Sequence, residues 1–140
     1  MRRISIGAVI AVALLLGACG GDEADPAAAI EDYAAAYNSG DIDAIMELFT
    51  EESVVTGHPF ANRSQGLTAI RAVQADDRAS AATDNPYTFS NIETTNDTVT
   101  WDSEWISDDG GRFCQAGHTA VIKDDKILTW TWPTSGGDCP

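Results

Sequence analysis

Basic residues are scarce in this 140-residue chain: eight lysines and arginines stand against 22 aspartates and glutamates, a formal net charge of −14. A surface of that sign repels phosphate backbones, which argues against nucleic acid as a partner. The same charge disfavours direct adhesion to anionic lipid headgroups. If the chain is held at a membrane, we expect a covalent anchor to hold it there.

Histidine is also scarce, with only His58 and His118 in the chain. They show neither the H-x-H nor the H-x-x-x-H spacing that would bring two imidazoles onto one metal ion. The sequence therefore predicts no metal site, and nothing in it indicates a cofactor.

A hydrophobic run long enough to span a bilayer, about 20 residues as a helix, is missing from the N-terminus. The apolar run there extends only from Ile4 to Leu16, and it follows the basic pair Arg2 and Arg3. This pattern is typical of a secretory signal peptide. Removing it would leave six basic residues against the 22 acidic ones, a net charge of −16.

The run ends in Leu16-Gly17-Ala18-Cys19, which resembles a bacterial lipobox. That resemblance implies a diacylglyceryl group on Cys19 and cleavage before it; the alternative is an ordinary leader with a chance cysteine. We predict a leader over 1–18, a lipidated flexible tether over 19–26 and one domain over 27–140. The domain would lie outside the cytoplasm, anchored to the cell membrane by lipid in a bacterial envelope.

Cysteine is limited to three residues. Lipidation of Cys19 would leave Cys114 and Cys139 as an even pair in an exported protein, where disulfides persist. We predict that these two are bridged, which would tie the C-terminus to a strand. The alternative is a pair of free thiols.

The stretch from Ile30 to Phe49 predicts two amphipathic helices with a sharp break between them. Asn38-Ser39-Gly40 ends the first, since glycine readily takes the left-handed conformation of helix C-termini. Asp41 can cap the second by accepting from its free N–H groups. Apolar residues repeat at helical spacing on both sides of the break: Ile30, Tyr33, Ala34 and Tyr37, then Ile42, Ile45, Met46 and Phe49.

The rest of the chain predicts a short strand over 53–56, a third helix opening at Gly66, and a polar loop over 76–86, with helical residues at the start of that stretch as the alternative. Four strands follow, over 87–94, 98–107, 112–123 and 127–132, joined by short turns into an antiparallel meander. Alternation puts Val99, Trp101 and Trp105 on one face of their strand, and Leu128, Trp130 and Trp132 on one face of theirs. Three helices followed by a sheet make an α+β fold.

This order of elements resembles the nuclear-transport-factor-2-like superfamily, and within it the SnoaL-like and ketosteroid-isomerase-like proteins. The resemblance covers roughly 27–132 and rests on Tyr33 to Tyr37, Asn38 to Asp41, Glu47 to Glu52, and Gly66 with Ala69-Ile70-Arg71. It implies a cone-shaped, cystatin-like α+β roll, in which three N-terminal helices pack against a curved antiparallel sheet and leave an apolar cavity. The superfamily includes isomerases, cyclases, dehydratases, hydrolases and non-catalytic binders.

The isomerases of this family use a tyrosine on the first helix and two aspartates, a base and a neutral donor to the developing oxyanion. Tyr33 matches the tyrosine. The base position falls on Gly57, or on His58 if the loop is one residue longer, and the second aspartate position falls on Gly117. Both carboxylates are therefore absent. If Gly117 faces the cavity, His118 points to the other side of the sheet.

We expect the cavity lining to include Tyr33, Tyr37, Trp101, Trp105, Trp130 and Trp132. Aromatic linings suit flat apolar ligands, although the same rings could instead fill the cone. The sequence favours a non-catalytic, membrane-anchored domain that binds a small apolar molecule or an envelope protein. One alternative is an isomerase or cyclase with His58 as base and Tyr33 as oxyanion donor. Another is an interaction domain that pairs through its outer sheet face as a homodimer.

Overall fold

The computed structural model describes residues 25–57, 63–80, 86–106, 110–133 and 136–138. The predicted leader, together with Cys19, His58 and Cys139, lies outside these residues. Within them, no helix combines the length and the apolar character needed to cross a membrane.

Three helices form where the sequence predicts them: α1 (Pro26–Ser39), α2 (Ile42–Glu47) and α3 (Gly66–Ser80). Asp25 caps α1 by accepting from the Ala27 amide at 3.0 Å, and Gly40 ends α1 with a left-handed φ of 74°. Asp41 caps α2 by accepting from the Ala44 amide at 2.9 Å. The predicted break between the first two helices is therefore confirmed.

Helix α3 extends to Ser80, so it includes the first residues of the stretch that reads as a polar loop. No glycine or proline interrupts α3 between Gly66 and Ser80, and some of its polar residues lie on the face that contacts α1. From that face Gln74 and Asp77 reach back to α1, where they accept hydrogen bonds from Tyr33 and Tyr37 at 2.9 Å. The alternative of helical residues at the start of this stretch is therefore confirmed.

The helices pack against one mostly antiparallel sheet, as expected of the α+β fold. Its strands are β1 (Val54–Thr56), β2 (Ser64–Gln65), β3 (Thr88–Thr95), β4 (Thr98–Ile106), β5 (Arg112–Lys123), β6 (Lys126–Thr131) and β7 (Gly137–Asp138). The order is β2-β1-β6-β5-β4-β3, and β7 pairs with the start of β5. The predicted antiparallel meander is confirmed for β3, β4, β5 and β6. Strand β1, for which the sequence predicts no partner, runs parallel to β6.

Two bulges flank the centre of β4. In β3, Asn91 takes a positive φ of 52°, and in β5, Gly117 takes a φ of 86°. The Asp102 carboxylate on β4 joins them, accepting from Asn91 Nδ2 at 2.7 Å and from the Gly117 amide at 2.9 Å. These bonds, led by the one from Asn91, lower the pKa of Asp102. The half-buried Asp102 side chain thus bonds to both bulges.

The β5 bulge changes which side chains point toward the helices. His118 lies opposite Trp101 and Gln115 lies opposite Ser103, so β5 has one more residue than β4 in this interval. Both Gln115 and His118 are consequently buried. A further irregularity between β5 and β6 places Ile127 fully in the core, beside a half-buried Leu128 that simple alternation assigns to that face.

Candidate functional site

Aromatic rings that contact one another lie between the helices and the sheet. Tyr33 meets Trp130 edge-on at 4.5 Å between centroids, and Trp130 stacks on Trp132 at 4.9 Å and lies 5.3 Å from Trp101. We call this group the aromatic interior; its members are Tyr33, Tyr37, Phe49, Tyr87, Phe89, Trp101, Trp130 and Trp132. Contacts of this geometry add to the stabilisation from burial itself.

Five of the six residues predicted to line the cavity lie buried in the aromatic interior; Trp105 lies at its margin. Trp105 is half-buried, stacks on Phe113 at 5.6 Å and reaches Tyr87 at 6.3 Å. The alternation of β4 is preserved, so Trp105 does share a face with Val99 and Trp101.

Tyr33, the predicted oxyanion donor, is fully buried and donates its hydroxyl hydrogen bond to Gln74 Oε1 at 2.9 Å. Burial, followed by the nearby Tyr87, raises its pKa well above the usual value. The hydroxyl therefore stays protonated, and its one proton is directed at Gln74. In this arrangement it has no second proton to offer a bound molecule.

His118 corrects the sequence analysis, because it points into the aromatic interior and not to the outer face. The β5 bulge at Gly117 is the cause: it turns Gly117 outward and brings the next residue in. The His118 ring stacks on Trp101 at 5.1 Å and 12° and meets Trp132 edge-on at 5.1 Å. It has no exposed surface.

Both ring nitrogens of His118 are engaged. The Trp130 indole N–H donates to Nδ1 at 3.4 Å, so Nε2 carries the proton and donates to Ser103 Oγ at 2.8 Å. Burial lowers the pKa of His118 to about 4, although the Asp102 carboxylate behind the sheet acts in the opposite direction. At neutral pH the imidazole is uncharged, and it is a weak base there.

Polar groups at one margin of the aromatic interior fasten α1 to its neighbours. Asn38 donates to the Tyr87 carbonyl at 2.8 Å and accepts from the Tyr87 amide at 2.7 Å, which fixes where β3 begins. Tyr37 donates to Asp77 at 2.9 Å, and the Arg78 guanidinium lies over its ring at 5.6 Å. Burial, then Asp77, raises the Tyr37 pKa. The charged side chains here lie beside the rings and not among them.

Neither Gly57 nor Gly117, to which the resemblance assigns the two carboxylate positions, could direct a carboxylate inward on this backbone. Gly57 has a φ of 91°, and a Cβ there would stand 2.1 Å from the Trp132 carbonyl oxygen. Gly117 is the bulge residue, faces outward and has open space around it. The next residue, His118, directs its imidazole into the aromatic interior.

In the described ranges, no three His, Cys, Asp or Glu side chains come together as metal ligands would. Several polar residues of the interior escape the sequence analysis, above all Gln74 and Ser103. Gln74 lies four residues after the buried Ile70 in α3, and Ser103 lies midway between Trp101 and Trp105 in the alternation of β4. The spacing of both residues indicates an inward position, but a search for apolar residues at that spacing passes over them because their side chains are polar.

Residues 30–130 of the chain match the model of the SnoaL-like domain family. No curated protein matches the chain. A candidate polyketide cyclase from Sinorhizobium meliloti superposes with a TM-score of 0.64 at 20% identity, over 74% of this chain and 92% of its own.

Two further solved structures share the fold. A protein of Catenulispora acidiphila with a ketosteroid isomerase-like fold, solved in complex with trimethylamine, superposes with a TM-score of 0.62 at 16% identity, over 74% of this chain and 82% of its own. An NTF2-like protein of Cytophaga hutchinsonii superposes with a TM-score of 0.62 at 9% identity, over 86% and 95%. Identities this low carry the fold and no activity.

Proposed function

The chain belongs to the SnoaL-like domain family, and on that premise we propose that it binds a small, largely apolar molecule in the aromatic interior without transforming it. We further propose that it does so outside the cytoplasm, held to the membrane by lipid on Cys19. The family contains both catalysts and binders, so the proposal depends on what this chain places in the interior.

The single observation that carries the proposal is the composition of that interior. Its members are all aromatic, and both the tyrosine hydroxyls and the imidazole of His118, which packs among them, are held neutral by burial. No described carboxylate points among the rings; the nearest, Asp77, is bound to Tyr37 at the margin. Such a site suits flat apolar molecules, which lose little on leaving water and gain ring contacts.

One feature speaks against the isomerase-type alternative with Tyr33 as oxyanion donor, because the Tyr33 hydroxyl donates to Gln74. A base at position 57 itself is disfavoured separately, because the Trp132 carbonyl oxygen occupies the space that a side chain there would need. A proton-transferring enzyme of this type needs a base and a free donor in one cavity. His58, the predicted base, lies outside the described residues, and no observation favours a role for it.

The anchoring and the disulfide stay predictions, each with a separate support. The acidic net charge of −14 leaves the surface unable to adhere to anionic headgroups without an anchor. Strand β7 pairs with β5 so that Gly137 lies opposite Cys114, which brings the chain close to it two residues before Cys139. Thiol labelling of the unreduced protein should find no free sulfhydryl, and finding two would contradict the bridge.

Binding is tested by titration of apolar probes with tryptophan fluorescence as readout. The protein is exported behind an ordinary leader as the chain from position 19 with Cys19→Ser, which retains every described residue. We expect saturable quenching by at least one flat apolar probe, weakened by Trp130→Ala and unchanged by Trp105→Phe. Featureless titrations with a broad set of such probes would contradict the proposal. Size-exclusion chromatography of the same sample shows whether the domain instead pairs with itself.

A further inference from the structure

Several buried polar atoms at the aromatic interior have no hydrogen-bond partner among the described residues, the Tyr87 hydroxyl among them. Two of them offer only N–H groups: the Gln74 amide nitrogen Nε2 and the Trp101 indole nitrogen Nε1. Both side chains are 1% exposed. Buried polar groups of this kind are nearly always paired with protein, water or a ligand, because leaving them unpaired is costly.

The chemistry of this pair is one-sided. An indole nitrogen can only donate. A carboxamide can do both, but the Gln74 oxygen already accepts from Tyr33 at 2.9 Å, so only its two N–H bonds remain. The interior therefore offers donors and no free acceptor at these two positions.

The two donors belong to one region. The ring of Tyr33, which holds Gln74, lies 4.5 Å from Trp130 and 6.3 Å from Phe89. The ring of Trp101 lies 5.3 Å and 5.6 Å from the same two rings. The Tyr33 ring, whose hydroxyl bonds to Gln74, and the Trp101 ring thus lie beside the same two rings, those of Phe89 and Trp130.

From this pairing we propose, resting on the proposed function, that the molecule bound in the interior carries an acceptor oxygen on an uncharged apolar body. Gln74 and Trp101 are then its specificity-determining residues. A carbonyl or ether oxygen satisfies the donors without adding a donor that would itself need a partner. A hydrocarbon leaves both N–H groups unpaired, and such a site discriminates against it.

A cation fits the same site poorly. Binding a desolvated positive charge calls for acceptors or a carboxylate beside the rings. Both nitrogens of His118 are engaged with Ser103 and Trp130, and the Asp77 carboxylate is bound to Tyr37 outside the ring cluster. The donors at Gln74 and Trp101 would face the cation with the wrong polarity.

The experiment compares 2-acetylnaphthalene with 2-ethylnaphthalene, which share shape and differ in one carbonyl oxygen, and adds tetramethylammonium as the cation. Affinities are measured by calorimetry and fluorescence on the chain from position 19 with Cys19→Ser. We expect the ketone to bind about tenfold tighter than the hydrocarbon, as one added hydrogen bond allows. Tetramethylammonium should bind more weakly than either.

Variants assign the preference to residues. Trp101→Phe keeps a ring and removes the indole N–H. Gln74→Met is combined with Tyr33→Phe, so that a released tyrosine hydroxyl cannot replace the lost amide donor. Each should reduce the ketone preference several-fold while leaving the hydrocarbon affinity within about twofold. Trp105→Phe, at the margin, should leave both affinities unchanged.

The outcomes separate this inference from the function on which it rests. Equal binding of ketone and hydrocarbon overturns the inference, with water as the partner of the two donors, and leaves the binding function standing. Preference for tetramethylammonium overturns it as well, as does a ketone preference that survives both variants. Binding of none of the three probes counts against the function and the inference together.

Discussion

Protonation of His118 should destabilise the fold in a defined pH window. Its pKa is about 4 in the folded protein, against 6.5 for an ordinary histidine. Between these values the unfolded chain binds more protons than the folded one, so the free energy of unfolding falls as the pH falls. The contribution is intact above pH 6.5 and is lost as the pH approaches 4. Linkage gives a loss of about 2 kcal/mol from pH 7 to pH 5, and about 3 kcal/mol in full.

The physical reason lies in the two hydrogen bonds of the ring. A proton on Nδ1 turns an acceptor into a donor, which breaks the bond from the Trp130 indole and places a charge in an apolar region. The nearest carboxylate, Asp102, lies behind the sheet and is committed to Asn91 and Gly117. It favours the charged form, but burial outweighs it.

Urea unfolding at several pH values, followed by circular dichroism, measures the effect. His118→Gln removes the titrating ring but keeps a side chain that can bond to Ser103, and every other ionisable group is common to both proteins. We expect the wild type to lose about 2 kcal/mol more than His118→Gln between pH 7 and pH 5. Parallel pH profiles for the two proteins would refute the placement of a neutral imidazole in the core.

Three further predictions concern the backbone and the anchor. Gly57→Ala should cost more than about 3 kcal/mol of unfolding free energy, because its Cβ would collide with the Trp132 carbonyl oxygen. The control Gly110→Ala, at a similar φ but in open space, should cost about 1 kcal/mol, and equal costs would contradict the close approach at Gly57. Asp102→Asn should speed hydrogen exchange of the Gly117 amide, and unchanged exchange would show that the carboxylate does not hold the bulge. Cys19→Ser in the full chain should move the protein out of the membrane fraction, and its retention there would contradict the lipid anchor.

Local signals in the sequence predict most of the fold. Glycine and aspartate have known preferences for helix ends, so the break at Gly40 and the cap at Asp41 could be predicted. The alternation of β4 correctly places its two tryptophans on one face. What they miss is set by long-range pairing. The parallel contact between β1 and β6 joins residues far apart in the chain, and no local pattern indicates it.

The site is less predictable for the same reason. A single extra residue in β5 reverses the orientation of His118, and sequence alternation cannot register a bulge unless Gly117 is read as its left-handed member. The polar side chain of Gln74 is tolerated on a buried face of α3 because its oxygen accepts a hydrogen bond from the Tyr33 hydroxyl, a contact between residues far apart in the chain. Aromatic residues can be assigned to the interior from periodicity, whereas its polar contacts depend on the assembled structure.

The decisive measurement is the response of the four indole N–H resonances to 2-acetylnaphthalene, followed by two-dimensional NMR and assigned by single substitutions. A molecule bound among the rings should shift the signals of Trp101 and Trp130 saturably, with a common midpoint, and leave Trp105 nearly unmoved. If no indole signal responds, or if only the marginal Trp105 does, the aromatic interior is closed packing and not a binding site.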